Sequence, residues 1–250
     1  MQESITDVPA GKRRKGIMKA IVFDVDDTLY DQQEIFDRAC RDVFGELKGI
    51  SLVDLFKANR YYSDESFEAM GRGEMTKEEM YIYRIKRAME EFHLPITDEQ
   101  AVRYQERYVY YGTQITVSDQ MRQILEYCGE RMKLGVITNG PSAHQWRKIK
   151  TLNLERWVNP EYIFVSGDVG VNKPERGIFE HAMKKMGMQN PEDIVYVGDS
   201  YEKDILGATG AGWNAIWLER RGREVPEDIP EHTAIARSEE DLFQLIRKMS

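Results

Sequence analysis

From Lys19 onward, hydrophobic positions gather in short continuous runs instead of alternating with polar ones. Ala20-Ile21-Val22-Phe23 is the first. Leu134-Gly135-Val136-Ile137, Tyr162-Ile163-Phe164-Val165, Ile194-Val195-Tyr196-Val197 and Ala215-Ile216-Trp217-Leu218 repeat it, and Thr233-Ala234-Ile235-Ala236 is a weaker copy. A run that is apolar at every position fits a strand covered on both faces, the situation of a parallel sheet. Helical periodicity fills about 141–152, 175–187 and 201–209 between the later runs. Strands alternating with helices predict a doubly wound α/β sheet of Rossmann-like form with helices on both faces.

Residues 31–115 break the alternation. Ile35, Phe36, Ala39, Val43, Phe44 and Leu47 form one helical stripe, and Ile82, Ile85, Met89 and Phe92 form another. Thr76-Lys77-Glu78-Glu79 and Thr97-Asp98-Glu99-Gln100 have the spacing of capping boxes and open two helices. The pattern predicts a helical domain at 31–115 inserted after the first strand, with the α/β domain made of 18–30 and 116–250. Residues 1–17 are polar and irregular around Lys12-Arg13-Arg14-Lys15, and read as a disordered tail, with Met18 a candidate native start.

Composition narrows the functional classes. Hydrophobic residues make up 41% and charged residues 31%, as in an ordinary globular protein. No apolar run reaches the roughly 20 residues needed to cross a bilayer. Cys40 and Cys128 match no metal-ligand spacing and sit in apolar helical patterns, which reads as buried free thiols in a reducing cytoplasm. The 43 Asp+Glu against 35 Lys+Arg give a net charge of −8, which opposes a nucleic-acid polymer as partner. An anionic small substrate would need a bound cation and a few placed basic residues to approach such a chain.

The chemistry gathers at strand ends, where ligands bind in an open parallel sheet. The first strand ends in Asp24-Val25-Asp26-Asp27-Thr28, the second in Thr138-Asn139-Gly140, and the fourth in Gly198-Asp199-Ser200, with Asp204 beyond it; Asn172-Lys173-Pro174 follows the third. Asp24 and Asp26, two apart, can share a face. One carboxylate can attack phosphorus while the other protonates the leaving oxygen and later activates water. Two such carboxylates beside a phosphate call for a hard cation, with Asp199 a further ligand. Thr138 and the N–H groups of Asn139 and Gly140 can donate to phosphate oxygens, and Lys173 supplies positive charge.

Phe23-Asp24-Val25-Asp26-Asp27-Thr28-Leu29 resembles the first motif of the haloacid dehalogenase superfamily. Thr138, Lys173-Pro174 and Gly198-Asp199-Ser200…Asp204 resemble its second, third and fourth motifs, in order. The resemblance spans about 18–250 and points to the phosphatase branch with a C1-type helical cap, nucleotidase-like in carrying Asp27 where many members have glycine. It implies Asp24 as nucleophile, Asp26 as acid and base, and Mg²⁺ held by Asp24, the Asp26 backbone carbonyl and Asp199. Asp204 is implied behind them, holding Lys173 or a metal-bound water. The expected substrate is a small phosphorylated metabolite, a nucleoside monophosphate or sugar phosphate. A phosphomutase would share these residues, Asp26 opposes a dehalogenase, and a binding module need not keep them all.

Each motif alone also has a plain reading as a turn, cap or loop. EF-hand chemistry fails because Leu29 stands where that loop needs glycine. His144 reads as structural, and Trp213 and Trp217 as core. Tyr104, Tyr108, Tyr110 and Tyr111 divide between packing the helical insert and stacking on a base or sugar.

Overall fold

The computed structural model describes residues 18–250; the predicted tail at 1–17 lies outside the described residues. Six parallel strands form one sheet: β1 (Ala20–Phe23), β2 (Lys133–Thr138), β3 (Ile163–Val165), β4 (Ile194–Gly198), β5 (Asn214–Leu218) and β6 (Thr233–Ala236). Their order is β3-β2-β1-β4-β5-β6, so β1 lies between β2 and β4, and the connections reverse direction there. That reversal point is where an open α/β sheet leaves a crevice for ligands.

Every residue of β1 and β4 is buried, as their unbroken apolar runs require of strands covered on both faces. The chain clusters into two units, one reaching Tyr30 and resuming at Thr116–Ser250, the other Asp31–Ile115.

In the α/β unit, helices α5 (Asp119–Gly129), α6 (Ser142–Thr151), α7 (Ser166–Val169), α8 (Arg176–Lys185), α9 (Gly207–Gly210) and α10 (Glu239–Met249) connect or follow the strands. A π-helical segment, Tyr201–Leu206, precedes α9. One cluster joins Val22, Ile137, Phe179, Tyr196 and Trp213. Trp217 packs with Ile205 and Ala215, so both tryptophans are core.

The other unit is built from α1 (Gln32–Phe44), α2 (Leu52–Gly71), α3 (Lys77–Glu91) and α4 (Asp98–Gly112). Both capping boxes form, Thr76 with Glu79 and Thr97 with Gln100. Phe36 meets Phe56 and Tyr104 edge to face, and Tyr104 is fully buried, which assigns that ring to packing; Tyr110 is exposed. Helix α2 is the element the periodicity did not announce. Its inward positions include Asn59 and Ser66 among Leu55, Phe56 and Tyr62, and these dilute the stripe. Cys40 and Cys128 are buried and free.

Candidate active site

Asp24 stands one residue past β1, and its N–H extends the ladder by donating to the Val197 carbonyl at 2.9 Å. That bond sets the carboxylate at the carboxyl end of the sheet, where it is 6% exposed. Lys173 reaches it from the loop after α7. Its Nζ donates to Asp24 Oδ1 at 2.7 Å, to Asp204 Oδ1 at 2.6 Å and to Tyr196 Oη at 2.8 Å. Asp204 is oriented in turn by the Ser200 N–H, which donates to its Oδ2 at 2.9 Å. Its carboxylate lies so close over Gly198 that a β-carbon there would collide with it, which explains a glycine at the end of β4.

Asp26 has a different set of partners. Lys148 Nζ donates to both of its oxygens, at 2.7 and 2.6 Å, and Gln145 Nε2 donates at 3.1 Å. The Tyr30 hydroxyl donates as well. Gln145 and Lys148 are three apart on α6 and therefore share one helix face.

Thr138, at the end of β2, is 1% exposed, and its hydroxyl has no hydrogen-bond partner among the described residues. Buried hydroxyls are normally satisfied, so this one is suited to a ligand oxygen. The groups after it are more committed than the sequence suggested. Asn139 receives the Lys173 N–H on Oδ1 at 2.8 Å and donates Nδ2 to the Lys173 carbonyl at 2.9 Å, fixing the lysine loop. The Gly140 N–H donates to Ser166 Oγ at 2.9 Å. The Asn139 side chain and the Gly140 N–H thus each hold another part of the protein.

Oxygens of Asp24, Asp199 and Asp204 lie within 4.8 Å of one another. Burial, opposed by the Lys173 ammonium and reinforced by the Asp204 and Asp26 charges, raises the Asp24 pKa to about 7. Burial, with the charges of Asp27, Asp204 and Asp24, raises Asp199 to about 8 against the pull of Arg223. Crowded carboxylates, with proton affinity raised at Asp24 and Asp199, are hard oxygen donors in want of positive charge, and they fit a divalent cation such as Mg²⁺. Burial pushes Asp26 up too, but Lys148 and the hydrogen bonds from Tyr30 and Gln145 outweigh it and hold the group below the usual carboxylate range. Lys173 is kept protonated: burial disfavours its charge, and Asp204 and Asp24 more than offset that.

Of the residues expected from the sequence, Asp24, Asp26, Thr138, Asn139 and Asp199 stand at or just beyond strand ends of the one sheet, while Lys173 reaches in from the loop after α7 and Asp204 from the π-helical segment. Lys148, Gln145 and Tyr196 were not among those expected residues. A Gln-x-x-Lys pair at helical spacing after the second motif was the available signal for the first two. Tyr196 was hidden inside an apolar run.

A buried aspartate, a lysine bridging it to a second aspartate, and a third carboxylate past the adjacent strand lie together at the reversal point of the α/β sheet. The family model for haloacid dehalogenase-like hydrolases matches residues 18–212, and the chain belongs to that family. It is 30% identical over 210 residues to the glyceraldehyde 3-phosphate phosphatase of Methanopyrus kandleri, covering 83% of this chain and 86% of that one. It is 36% identical over 116 residues to the pyrimidine 5'-nucleotidase YjjG of Escherichia coli, 46% of this chain and 50% of that one. The fold matches magnesium-bound HAD-hydrolase YfnB of Bacillus subtilis with a TM-score of 0.69 at 23% identity, over 92% of this chain and 99% of that one. The chain is a hydrolase with phosphatase relatives, and among the described residues no helix is long and apolar enough to cross a membrane.

Proposed function

We propose that this chain hydrolyses a small phosphomonoester through an aspartyl-phosphate on Asp24, with Mg²⁺ bound. The observation that carries the reading is the Asp24–Lys173–Asp204 arrangement beside Asp199, with the unpaired Thr138 hydroxyl on the neighbouring strand end. Asp24 attacks phosphorus, forming the acyl-phosphate bond as the ester P–O bond breaks. Lys173 and Thr138 donate to the transferring phosphoryl oxygens. Asp26 delivers a proton to the leaving alkoxide and, because it is ionised when paired with Lys148, draws that proton from the ammonium 2.6 Å away. It then takes a proton from the water that attacks phosphorus and returns it to Lys148, and that attack releases phosphate and restores Asp24. Mg²⁺, held by Asp24, Asp199 and the Asp26 carbonyl, would supply the charge that lets a dianion approach these carboxylates.

The relatives support the substrate class, one being named for glyceraldehyde 3-phosphate and one for pyrimidine nucleotides. Both are small phosphomonoesters, so a sugar phosphate or nucleoside monophosphate is the reading for this chain. Phosphatase relatives favour hydrolysis over phosphoryl return to a sugar. In this reading the α/β unit carries the chemistry, and residues 31–115 serve as a cap that selects the substrate. The test is phosphate release from a panel of phosphomonoesters by the wild type and Asp24→Asn. Release that needs both Mg²⁺ and Asp24 supports the mechanism; substantial turnover by pure Asp24→Asn refutes it.

A further inference from the structure

Gln145 is 2% exposed, and the chemistry proposed above makes no use of it. It stands near the start of α6, against the turn that follows β2. Its Nε2 donates to Asp26 Oδ2 at 3.1 Å and to the Asn139 carbonyl at 2.6 Å. Both neighbours are acceptors, so only the amide nitrogen, with its two N–H groups, suits them; turned over, the amide would face oxygen with oxygen. The amide oxygen has no partner among the described residues, so the hydrogen bonding of this side chain is concentrated in those two bonds. Gly140 makes room for them. A β-carbon there would come within 2.7 Å of Gln145 Nε2, so a glycine lets the amide seat directly against the turn.

The turn is itself braced. The Gly140 N–H donates to Ser166 Oγ, and the Gly140 carbonyl accepts the Gly167 N–H at 3.2 Å. Asn139 exchanges two hydrogen bonds with the backbone of Lys173, whose ammonium reaches Asp24. One hydrogen-bonded path therefore runs from Asp26 through Gln145, Asn139 and Lys173 to Asp24, with every link between 2.6 and 3.1 Å. Lys148 does a different job. Its single ammonium, at the end of a flexible stem, meets both Asp26 oxygens and neutralises the carboxylate without telling one oxygen from the other. The Gln145 contact takes Oδ2 alone and ties it to the end of β2.

We propose that Gln145 is a positioning residue for the leaving-group proton: it holds the Asp26 carboxylate in a fixed orientation against the turn after β2, in register with Lys173 and Asp24. This role rests on the reading of Asp26 as acid and base given above and goes beyond it in naming what aims that group. Gln145 neither supplies nor takes the proton. Without its amide, Asp26 stays paired with Lys148 but is free to turn with the lysine stem, and a misplaced acid delivers its proton poorly.

The experiment compares kcat/KM for phenyl phosphate and para-nitrophenyl phosphate, with Mg²⁺, for the full chain as wild type, Asp26→Asn, Gln145→Met and Gln145→Asn. The two esters share the ring and the phosphate and differ in how far the leaving oxygen needs a proton. Because kcat/KM reports phosphoryl transfer from the free enzyme and substrate, the later hydrolysis of the acyl-phosphate does not enter it. The ratio of the two values is also independent of how much of a preparation is folded. Asp26→Asn should lower the phenyl-to-nitrophenyl ratio most. Gln145→Met should lower kcat/KM for phenyl phosphate roughly 10–100-fold and leave the nitrophenyl ester near the wild-type value. Gln145→Asn keeps an amide that is one methylene too short to span both acceptors. It should lower the ratio less, and it carries the test if Gln145→Met does not fold. A wild-type ratio in the Gln145 variants, beside a lowered ratio in Asp26→Asn, would overturn the inference alone, since Gln145 would then only hold the turn. A wild type that cleaves neither ester, or Asp26→Asn with the wild-type ratio, would overturn the reading of Asp26 and this inference together.

Discussion

Replacing Lys173 with methionine removes one ammonium and keeps most of the side chain's length. The structure assigns that ammonium three buried partners, Asp24, Asp204 and Tyr196, at 2.6–2.8 Å. Truncating one partner of a buried ion pair costs about 3–5 kcal/mol, because the remaining charge stays buried and uncompensated. In a domain of this size each kcal/mol moves the thermal midpoint by about 2–4 °C, so metal-free Lys173→Met should melt roughly 6–20 °C below the wild type at pH 8.5.

The loss should depend on pH. The folded-state pKa of Asp24 is raised from 3.8 to about 7, so the stability this group contributes is present while it is protonated and is lost as pH rises through about 7. The lysine is the main influence opposing that rise, and without it the carboxyl stays protonated to still higher pH. The gap between variant and wild type should therefore be smaller at pH 5.5, where only the Asp204 pairing is lost, and widen through neutrality. The assay is the thermal midpoint in chelator between pH 5.5 and 8.5. A variant as stable as the wild type at pH 8.5, or a gap that narrows as pH rises, would refute the reasoning.

Thr138→Val should leave stability within about 1 kcal/mol of the wild type, because the hydroxyl it removes is buried and satisfies no protein group. The same change should lower kcat/KM roughly 10²-fold, as loss of a phosphoryl-oxygen donor does, and a destabilised but active variant would contradict that assignment. Mg²⁺ affinity by calorimetry should weaken as pH falls through about 8 and then about 7, since Asp199 and Asp24 must lose their protons to ligate; a flat profile from pH 6 to 9 would speak against these ligands.

The sheet was legible because burial on both faces of β1 and β4 leaves an unmistakable apolar run. Helix α5 carries the same kind of signal, with Met121, Ile124, Leu125 and Cys128 at helical spacing. The site divides along another line. Asp24, Thr138 and Asp199 could be read because each sits beside a strand end, where sequence position already implies spatial position, and Lys173 because it stands in the loop that leads away from the third strand. The groups that orient them could not. Tyr196 looks like one more core residue of β4 until its hydroxyl is seen between Lys173 and the Ile137 carbonyl. Arg221 and Asp27 are far apart in sequence, and no local pattern joins a turn after β5 to a turn after β1. Asn139 was expected at the site for its backbone N–H, and nothing local announces that its side chain pairs with the lysine loop.

The pairings also answer the electrostatic problem set by a chain of net charge −8. Five carboxylates crowd the strand ends, and the protein answers with four cations drawn from different elements. Lys173 serves Asp24 and Asp204, Lys148 serves Asp26, Arg221 serves Asp27 and Arg223 serves Asp199. With all nine groups ionised the site would be left one charge negative, a poor receptor for a phosphate dianion. One divalent cation reverses that sign, whereas a monovalent cation reaches only neutrality. The overall acidity of the chain is then no obstacle to its chemistry, because fixed cations and low-dielectric surroundings set the field at the strand ends more strongly than distant, screened surface charge.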